Sequence, residues 1–127
     1  VENKLSKFNL ISQAKDQILF NLINEDYLNE TRFCKSFVRG KFKIKNWGKR
    51  RIIQELKSRK ISEFNIKKGL SEINEFDYQE KFENLFNKKL SSLENLNSID
   101  KKKKIFSYLQ YRGWETNLIY EKINQIL

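Results

Sequence analysis

Hydrophobic residues recur at intervals of three and four along much of this chain of 127 residues, a spacing that places them on one face of an α-helix. One such face consists of Ile66, Leu70 and Ile73, and Ser62 stands where the N-cap of that helix is expected. Another predicted helix follows Asp100, which could cap it in the same way. The chain has no proline and four glycines, so little interrupts helical structure. The pattern predicts an all-α fold with short turns.

The segment KFKIK at residues 41–45 alternates charged and apolar residues, which taken alone suggests a β-strand. Over a longer window, Phe33, Phe37 and Ile44 fall near one helical face, so a helix running into the low forties accounts for more positions. We expect Ile44 to anchor this helix in the core. We expect Gly48 to supply the backbone angles of a tight turn, directly before the next helix.

An internal repeat relates residues 50–73 to residues 103–126 without gaps. Both copies read as a basic helix, a tight turn after an arginine, and a second amphipathic helix. The alternative is a compact bundle whose halves look alike only because they share amphipathic patterning. The identical pairs are Ile52 with Ile105, Leu56 with Leu109, Arg59 with Arg112, Ile66 with Ile119, and Ile73 with Ile126.

A further helix is predicted before each copy, so the repeating unit contains three helices. We predict a truncated first repeat at residues 1–29, a second repeat at residues 30–73 and a third at residues 74–127. Repeats of this kind stack into an elongated, curved array with a long face available for binding.

Composition adds a strong positive charge to this picture. The chain has 26 Lys and Arg against 16 Asp and Glu, a net charge of +10, which favours a polyanionic or acidic partner. The abundance of Lys, Asn, Ile and Phe is typical of AT-rich coding sequence, so the six arginines carry more weight than the lysines. Nothing in the sequence indicates export or membrane insertion, and the single cysteine excludes an internal disulfide. We therefore expect a cytoplasmic protein without a membrane partner.

Two basic clusters are the candidate binding residues. The first holds seven cations and no acid in thirteen residues, and the second falls at the matching position of the later copy. The alternative for both is an ordinary solvated helix surface. The residues are Arg39, Lys41, Lys43, Lys45, Lys49, Arg50 and Arg51 in the first cluster, and Lys101, Lys102, Lys103 and Lys104 in the second.

Four more residues carry narrower expectations. Trp47 is a candidate for stacking on a nucleobase, although packing is the stronger interpretation of an aromatic residue at a helix junction. Trp114 aligns with an isoleucine of the earlier copy and is expected in the core. Arg59 and Arg112 are each expected either to bind carbonyl groups at a helix C-terminus or to contact the partner.

Enzyme chemistry finds little support in the sequence. There is no histidine, Cys34 lies within an apolar helical stripe, and no glycine-rich phosphate loop is present. We predict no catalytic residues, no metal site and no cofactor.

Several short motifs, in order and spacing, resemble the RecX family of bacterial regulatory proteins. The resemblance covers nearly the whole chain, although no single motif decides it. Lys60 departs from the family pattern, which usually has glycine there. The motifs are Tyr-Leu-Asn-Glu at 27–30, Glu30 with Arg32 and Phe33, Phe-Val-Arg at 37–39, Gly48 with Ile52, Glu-Leu-x-x-Arg at 55–59, and Tyr-Arg-Gly-Trp at 111–114.

The resemblance implies tandem three-helix repeats in an extended molecule that lies in the groove of the RecA filament on single-stranded DNA. Such a protein would lower ATP turnover by RecA and hinder strand exchange and repressor autocleavage, and so modulate recombinational repair and the SOS response. Apart from the resemblance, we expect a monomer. Two alternatives stay open: a helical DNA- or RNA-binding module that acts directly on nucleic acid, and an adaptor that binds one acidic protein.

Overall fold

The computed structural model describes residues 2–127, except for the side chains of residues 2–13 and Tyr27. Six α-helices and no strand occur in this described part, which confirms the predicted all-α class. None of these helices is both long enough and apolar enough to cross a membrane. The helices are α1 (Glu2–Lys43), α2 (Lys49–Ser58), α3 (Glu63–Leu70), α4 (Glu75–Ser91), α5 (Ser98–Tyr111) and α6 (Thr116–Ile126).

Helix α1 is continuous across the predicted boundary between residues 29 and 30. Its C-terminal part packs against α2 and α3, whereas residues 14–26 are exposed. The first repeat predicted for residues 1–29 depends in part on side chains outside the described residues. The division of the chain at this point therefore stays a prediction.

The apolar stripe of α1 lies one residue away from the predicted position. Cys34, Val38 and Phe42 are buried, whereas Phe33 is 41% exposed and Ile44 is 77% exposed. Both sets fit helical spacing, so the pattern alone does not choose between them. The expectation that Ile44 anchors the helix is wrong, because α1 ends at Lys43 and Ile44 lies in the turn beyond it.

The predicted repeat is present in the geometry of the turns that follow α2 and α5. The N–H group of Ile61 bonds to the carbonyl of Leu56 at 3.2 Å, and the equivalent N–H group of Trp114 bonds to that of Leu109 at 3.1 Å. The preceding residues, Lys60 and Gly113, both have positive φ, at 61° and 88°. These are the marks of a Schellman motif. The same motif ends the middle helix of each unit, with the aligned arginines as C-caps.

One of the two predicted N-caps is correct. The side chain of Ser62 accepts a hydrogen bond from the N–H group of Asn65 and caps α3. The cap of α5 is Asn97 rather than Asp100, because the helix begins three residues earlier than its basic run. Asp100 instead lies in the first turn, where its carboxylate favours the positive end of the helix dipole.

A column of aromatic rings holds α1, α4 and the turn before α6 together. Tyr78 stacks on Phe42 with ring centroids 5.9 Å apart, and on Trp114 with centroids 4.6 Å apart. Trp114 is fully buried, as expected. The Tyr78 hydroxyl donates to the Glu115 carboxylate and accepts from the backbone N–H group of Lys49 at 2.9 Å. The core therefore continues from residues 30–73 into residues 74–127 without a gap.

Candidate binding surface

The first basic cluster is fixed in place by backbone contacts between α2 and the turn after α5. The N–H group of Gly48 bonds to the carbonyl of Arg112 at 2.8 Å, and that of Arg50 bonds to the carbonyl of Gly113 at 3.0 Å. Gly48 has no side chain to cap α2. The N-terminal N–H groups of this helix are therefore satisfied by the other half of the molecule.

Two glycines make this approach possible. A Cβ atom on Gly48 would lie 2.5 Å from the carbonyl oxygen of Gly113, and one on Gly113 would collide with the Cβ atom of Arg51. Gly48 itself has φ −78° and ψ 170°, which any residue can adopt, so the expected need for special backbone angles is wrong. The left-handed residue of this connection is Asn46, with φ 60°. Gly48 is required because two backbones meet there.

Two cations of the first cluster are paired with acids from distant parts of the sequence. The Arg39 guanidinium lies 3.4 Å from the carboxylate of Glu72, and the Lys49 ammonium lies 2.8 Å from that of Glu75. Lys49 also lies over the ring of Tyr78. The charge that the sequence assigns to these two positions is therefore partly neutralised in the fold.

Two more cations pack on Trp47, which is half-buried. The Lys41 ammonium lies 4.8 Å from the Trp47 ring centroid, and the Arg51 guanidinium lies 4.2 Å from it. Arg51 also lies 4.9 Å from the centroid of the Tyr111 ring and donates a hydrogen bond to the Tyr111 carbonyl at 3.3 Å. The ring of Trp47 thus has cationic neighbours, and stacking of a base on it stays a prediction.

The remaining three cations of this cluster, Lys43, Lys45 and Arg50, are exposed, and none has an acidic partner within the described residues. The backbone carbonyl of Lys43 accepts a hydrogen bond from the Lys81 ammonium at 3.1 Å. Burial, and then the charge of Lys43, lower the pKa of Lys81. Unlike Arg39 and Lys49, these three cations are not neutralised by an ion pair in the described part of the chain.

The four lysines of the second cluster lie on different faces of α5, because successive residues of a helix point in different directions. Lys101 and Lys102 are half-buried, whereas Lys103 and Lys104 are exposed. The residue seven positions beyond Lys104 is Tyr111, so the two share one face of the helix, two turns or about 10 Å apart. Lys104 therefore lies on the same face of α5 as Tyr111, the residue that contacts Arg51 of the first cluster.

The two aligned arginines have different surroundings. The Arg112 guanidinium donates to the carbonyl of Tyr108 at 3.4 Å and lies 3.9 Å from the centroid of the Tyr108 ring. The Arg59 guanidinium lies over the ring of Phe37, 5.1 Å from its centroid, and the residue is exposed. A carbonyl contact of the expected kind is present at Arg112.

Two protein-family models match this chain. Residues 29–70 match the second three-helix domain of RecX, and residues 77–123 match its third three-helix domain. Together the two matches cover more than two thirds of the sequence. The chain belongs to the RecX family. No curated protein and no solved structure matches it.

The sequence did not single out Tyr111 as a candidate of this RecX-family surface. Its side chain is 72% exposed, and it lies beside Arg51 at the end of α5. The only sequence signal was its place in the motif Tyr-Arg-Gly-Trp, which could equally mark a structural turn. Its exposure follows from its position opposite the buried Ile105 and Leu109 on α5.

The described residues of this RecX-family chain include no group of three or more His, Cys, Asp or Glu side chains that could hold a metal ion. Cys34 is buried, and burial together with the charge of Glu30 raises its pKa. A thiol in that environment stays protonated and is a poor nucleophile. What the surface offers chemically is positive charge and exposed aromatic area.

Proposed function

We propose that this RecX-family protein is a negative regulator of RecA, which binds the RecA filament on single-stranded DNA through its basic surface. We define the basic surface as Lys43, Lys45, Arg50, Lys103 and Lys104. Binding there would inhibit the ATPase, strand-exchange and coprotease activities of RecA, and so modulate recombinational repair and the SOS response. The observation that carries the proposal is the match to two consecutive RecX domains.

The charge distribution supports a partner of this kind. All five side chains of the basic surface are exposed, so phosphates or acidic side chains could reach them without any rearrangement of the core. If all five contacted phosphates of a single strand, the logarithm of affinity would fall against the logarithm of salt concentration with a slope of about −3.5. The paired cations Arg39 and Lys49 would contribute less.

The proposed mode of action is binding alone. The protein would act in the cytoplasm as a monomer, without catalysis and without a cofactor. Inhibition would follow because a protein that contacts successive RecA subunits stabilises one arrangement of the filament, and a ligand shifts an equilibrium only through its differential affinity for the two states.

Co-sedimentation tests the proposal. RecA filaments assembled on single-stranded DNA are pelleted with the native chain at near-physiological salt, beside naked single-stranded DNA and naked duplex at the same nucleotide concentration. We expect the filament to retain the chain more strongly than either DNA does. Equal retention by naked duplex would contradict the proposal and favour a direct DNA-binding module.

That module is the second candidate function, in which the chain acts directly on DNA or RNA. The exposed Tyr111 ring beside the Arg51 guanidinium is the observation that favours it. The two candidates differ in their dependence on RecA. A direct binder would affect RecA only by competing for DNA, so an excess of DNA would abolish its effect, whereas binding to the filament would survive that excess.

A further inference from the structure

A groove runs along the junction between α2 and the C-terminal end of α5. It has a volume of about 420 Å³ and is open to solvent along one side. Arg50 and Arg51 lie at one end, and Gln110 and Tyr111 form the wall that α5 contributes. Because Gly48 and Gly113 hold α2 against the turn after α5, the two walls are fixed relative to each other.

The Tyr111 ring is positioned as a stacking platform. The Arg51 guanidinium lies 4.9 Å from its centroid, and that guanidinium is itself held by the ring of Trp47 at 4.2 Å and by the Tyr111 carbonyl. Even so, 72% of the Tyr111 side chain is exposed. Aromatic rings of this kind stack on any nucleobase, but only on one that is unpaired and unstacked. The ring therefore favours a single strand over a duplex.

The charges in the groove favour a phosphate at one end only. Arg50 is exposed without an acidic partner in the described residues, and its backbone is fixed by the hydrogen bond to Gly113. Farther along, the groove is lined by Gln54, which donates and accepts, and by Glu55, which only accepts; Ser58 donates its proton to the Glu55 carbonyl and can accept from a ligand. Glu55 would repel a second phosphate, and these three side chains suit the N–H and carbonyl edges of a base.

The exposed face of α5 extends this groove toward a second set of cations. Gln110 lies seven residues after Lys103, and Tyr111 lies seven residues after Lys104, so each pair shares the same line on the helix. The separation is about 10 Å. A single strand that leaves the groove along this face of α5 reaches these lysines within a few nucleotides.

We propose that the groove between α2 and α5 binds one nucleotide of single-stranded DNA, with its base stacked on Tyr111 and its phosphate on Arg50. The strand continues along α5 to Lys103 and Lys104. This inference deepens the proposed function, on which it rests, by naming where the DNA of the filament complex contacts the chain.

The test measures binding of a fluorescent 12-nucleotide single-stranded DNA to the native chain without RecA, by anisotropy at low salt. Tyr111→Ala removes the platform, and Tyr111→Phe keeps it. The matched control is Phe76→Ala, because Phe76 is 74% exposed and lies outside the groove. We expect Tyr111→Ala to weaken binding by about 5- to 150-fold, and the other two variants to bind within twofold of the native chain.

The outcomes separate this inference from the proposed function. Native-like binding by Tyr111→Ala, or no binding of the oligonucleotide by the native chain, would overturn the groove even if RecA ATPase is still inhibited. Loss of oligonucleotide binding in Tyr111→Ala supports the groove whether or not the native chain inhibits the RecA ATPase. A native chain that leaves the RecA ATPase unaffected would count against the proposed function instead. Tighter binding of the RNA of the same sequence would overturn the assignment to DNA.

Discussion

The contact between α2 and the turn after α5 depends on the absence of a side chain at Gly48, so Gly48→Ala should destabilise the protein. The added Cβ atom would lie 2.5 Å from the carbonyl oxygen of Gly113 and 2.6 Å from the backbone nitrogen of Trp114. Both neighbours are backbone atoms, which cannot rotate away as a flexible side chain can. The two halves of the molecule would have to separate locally.

The magnitude follows from what this separation disturbs. Overpacking of a well-packed contact costs about 1–3 kcal/mol. The hydrogen bonds from Gly48 to Arg112 and from Arg50 to Gly113, at 2.8 and 3.0 Å, contribute about 1 kcal/mol each. A loss of about 3–5 kcal/mol is therefore expected, which for a chain of this size lowers the melting temperature by about 10–20 °C.

Thermal and urea denaturation, followed by circular dichroism, measure the effect. Gly40→Ala is the matched control, because its Cβ atom would meet nothing within 4 Å and Gly40 lies inside α1. That substitution should stabilise the protein by about 0.5–1 kcal/mol, the usual gain of alanine over glycine in a helix. If Gly48→Ala were as stable as the native chain, the close approach of the two backbones would be refuted.

Three further predictions concern single residues. Lys60→Gly should stabilise the chain by about 1 kcal/mol, because Lys60 has φ 61°; Lys60→Ala, the control, should gain nothing in the same melt, and an equal gain would refute this explanation. Tyr78→Phe should cost about 1–3 kcal/mol at pH 7, since the Lys49 N–H group and Glu115 lose their partner. Burial raises the pKa of Tyr78 well above its usual 10, so the folded state keeps a proton that the unfolded state releases. Stability should thus fall above pH 10 more steeply in the native chain than in Tyr78→Phe, and parallel pH curves would contradict this. Cys34 should react with a thiol reagent only as fast as the chain opens, whereas immediate modification would show that it is not buried.

The repeat was predictable because it depends on local rules. Ile52 and Leu56 are buried in α2 as Ile105 and Leu109 are in α5, and the offset of 53 residues had matched them in advance. Lys60 after α2 and Gly113 after α5, which both have positive φ, are matched by the same offset. The positive φ of Lys60 also explains why the family usually has glycine at this position, where this chain has a lysine.

The contacts between residues far apart in the sequence were not predictable in the same way. Periodicity assigns a residue to a face of its own helix, but it does not say what that face meets. The pairing of Arg39 with Glu72 and of Lys49 with Glu75 joins residues 26 to 33 positions apart in the sequence. The first basic cluster therefore contains no acid in the sequence, but the fold places two acids against it.

The choice of stripe on α1 failed for a related reason. Phe33 and Phe37 are larger and more hydrophobic than Cys34, and they gave the stronger signal. This face packs closely on α3 at Gly69, where an added Cβ atom would lie 3.1 Å from both Cys34 and Val38. A close helix contact of this kind selects small side chains over aromatic ones, which hydrophobicity alone does not reveal.

Inhibition of RecA is the central claim, and the ATPase assay on single-stranded DNA tests it most directly. RecA is titrated with the native chain, with a variant carrying Lys43, Lys45 and Arg50 as Glu, and with a control carrying the equally exposed Lys67, Lys68 and Lys88 as Glu. Both variants change the net charge by the same amount. We predict that the native chain and the control suppress ATP hydrolysis at amounts near or below that of RecA, and that the first variant does not. Unchanged hydrolysis with the native chain would contradict the account, and equal suppression by both variants would contradict the role of the basic surface.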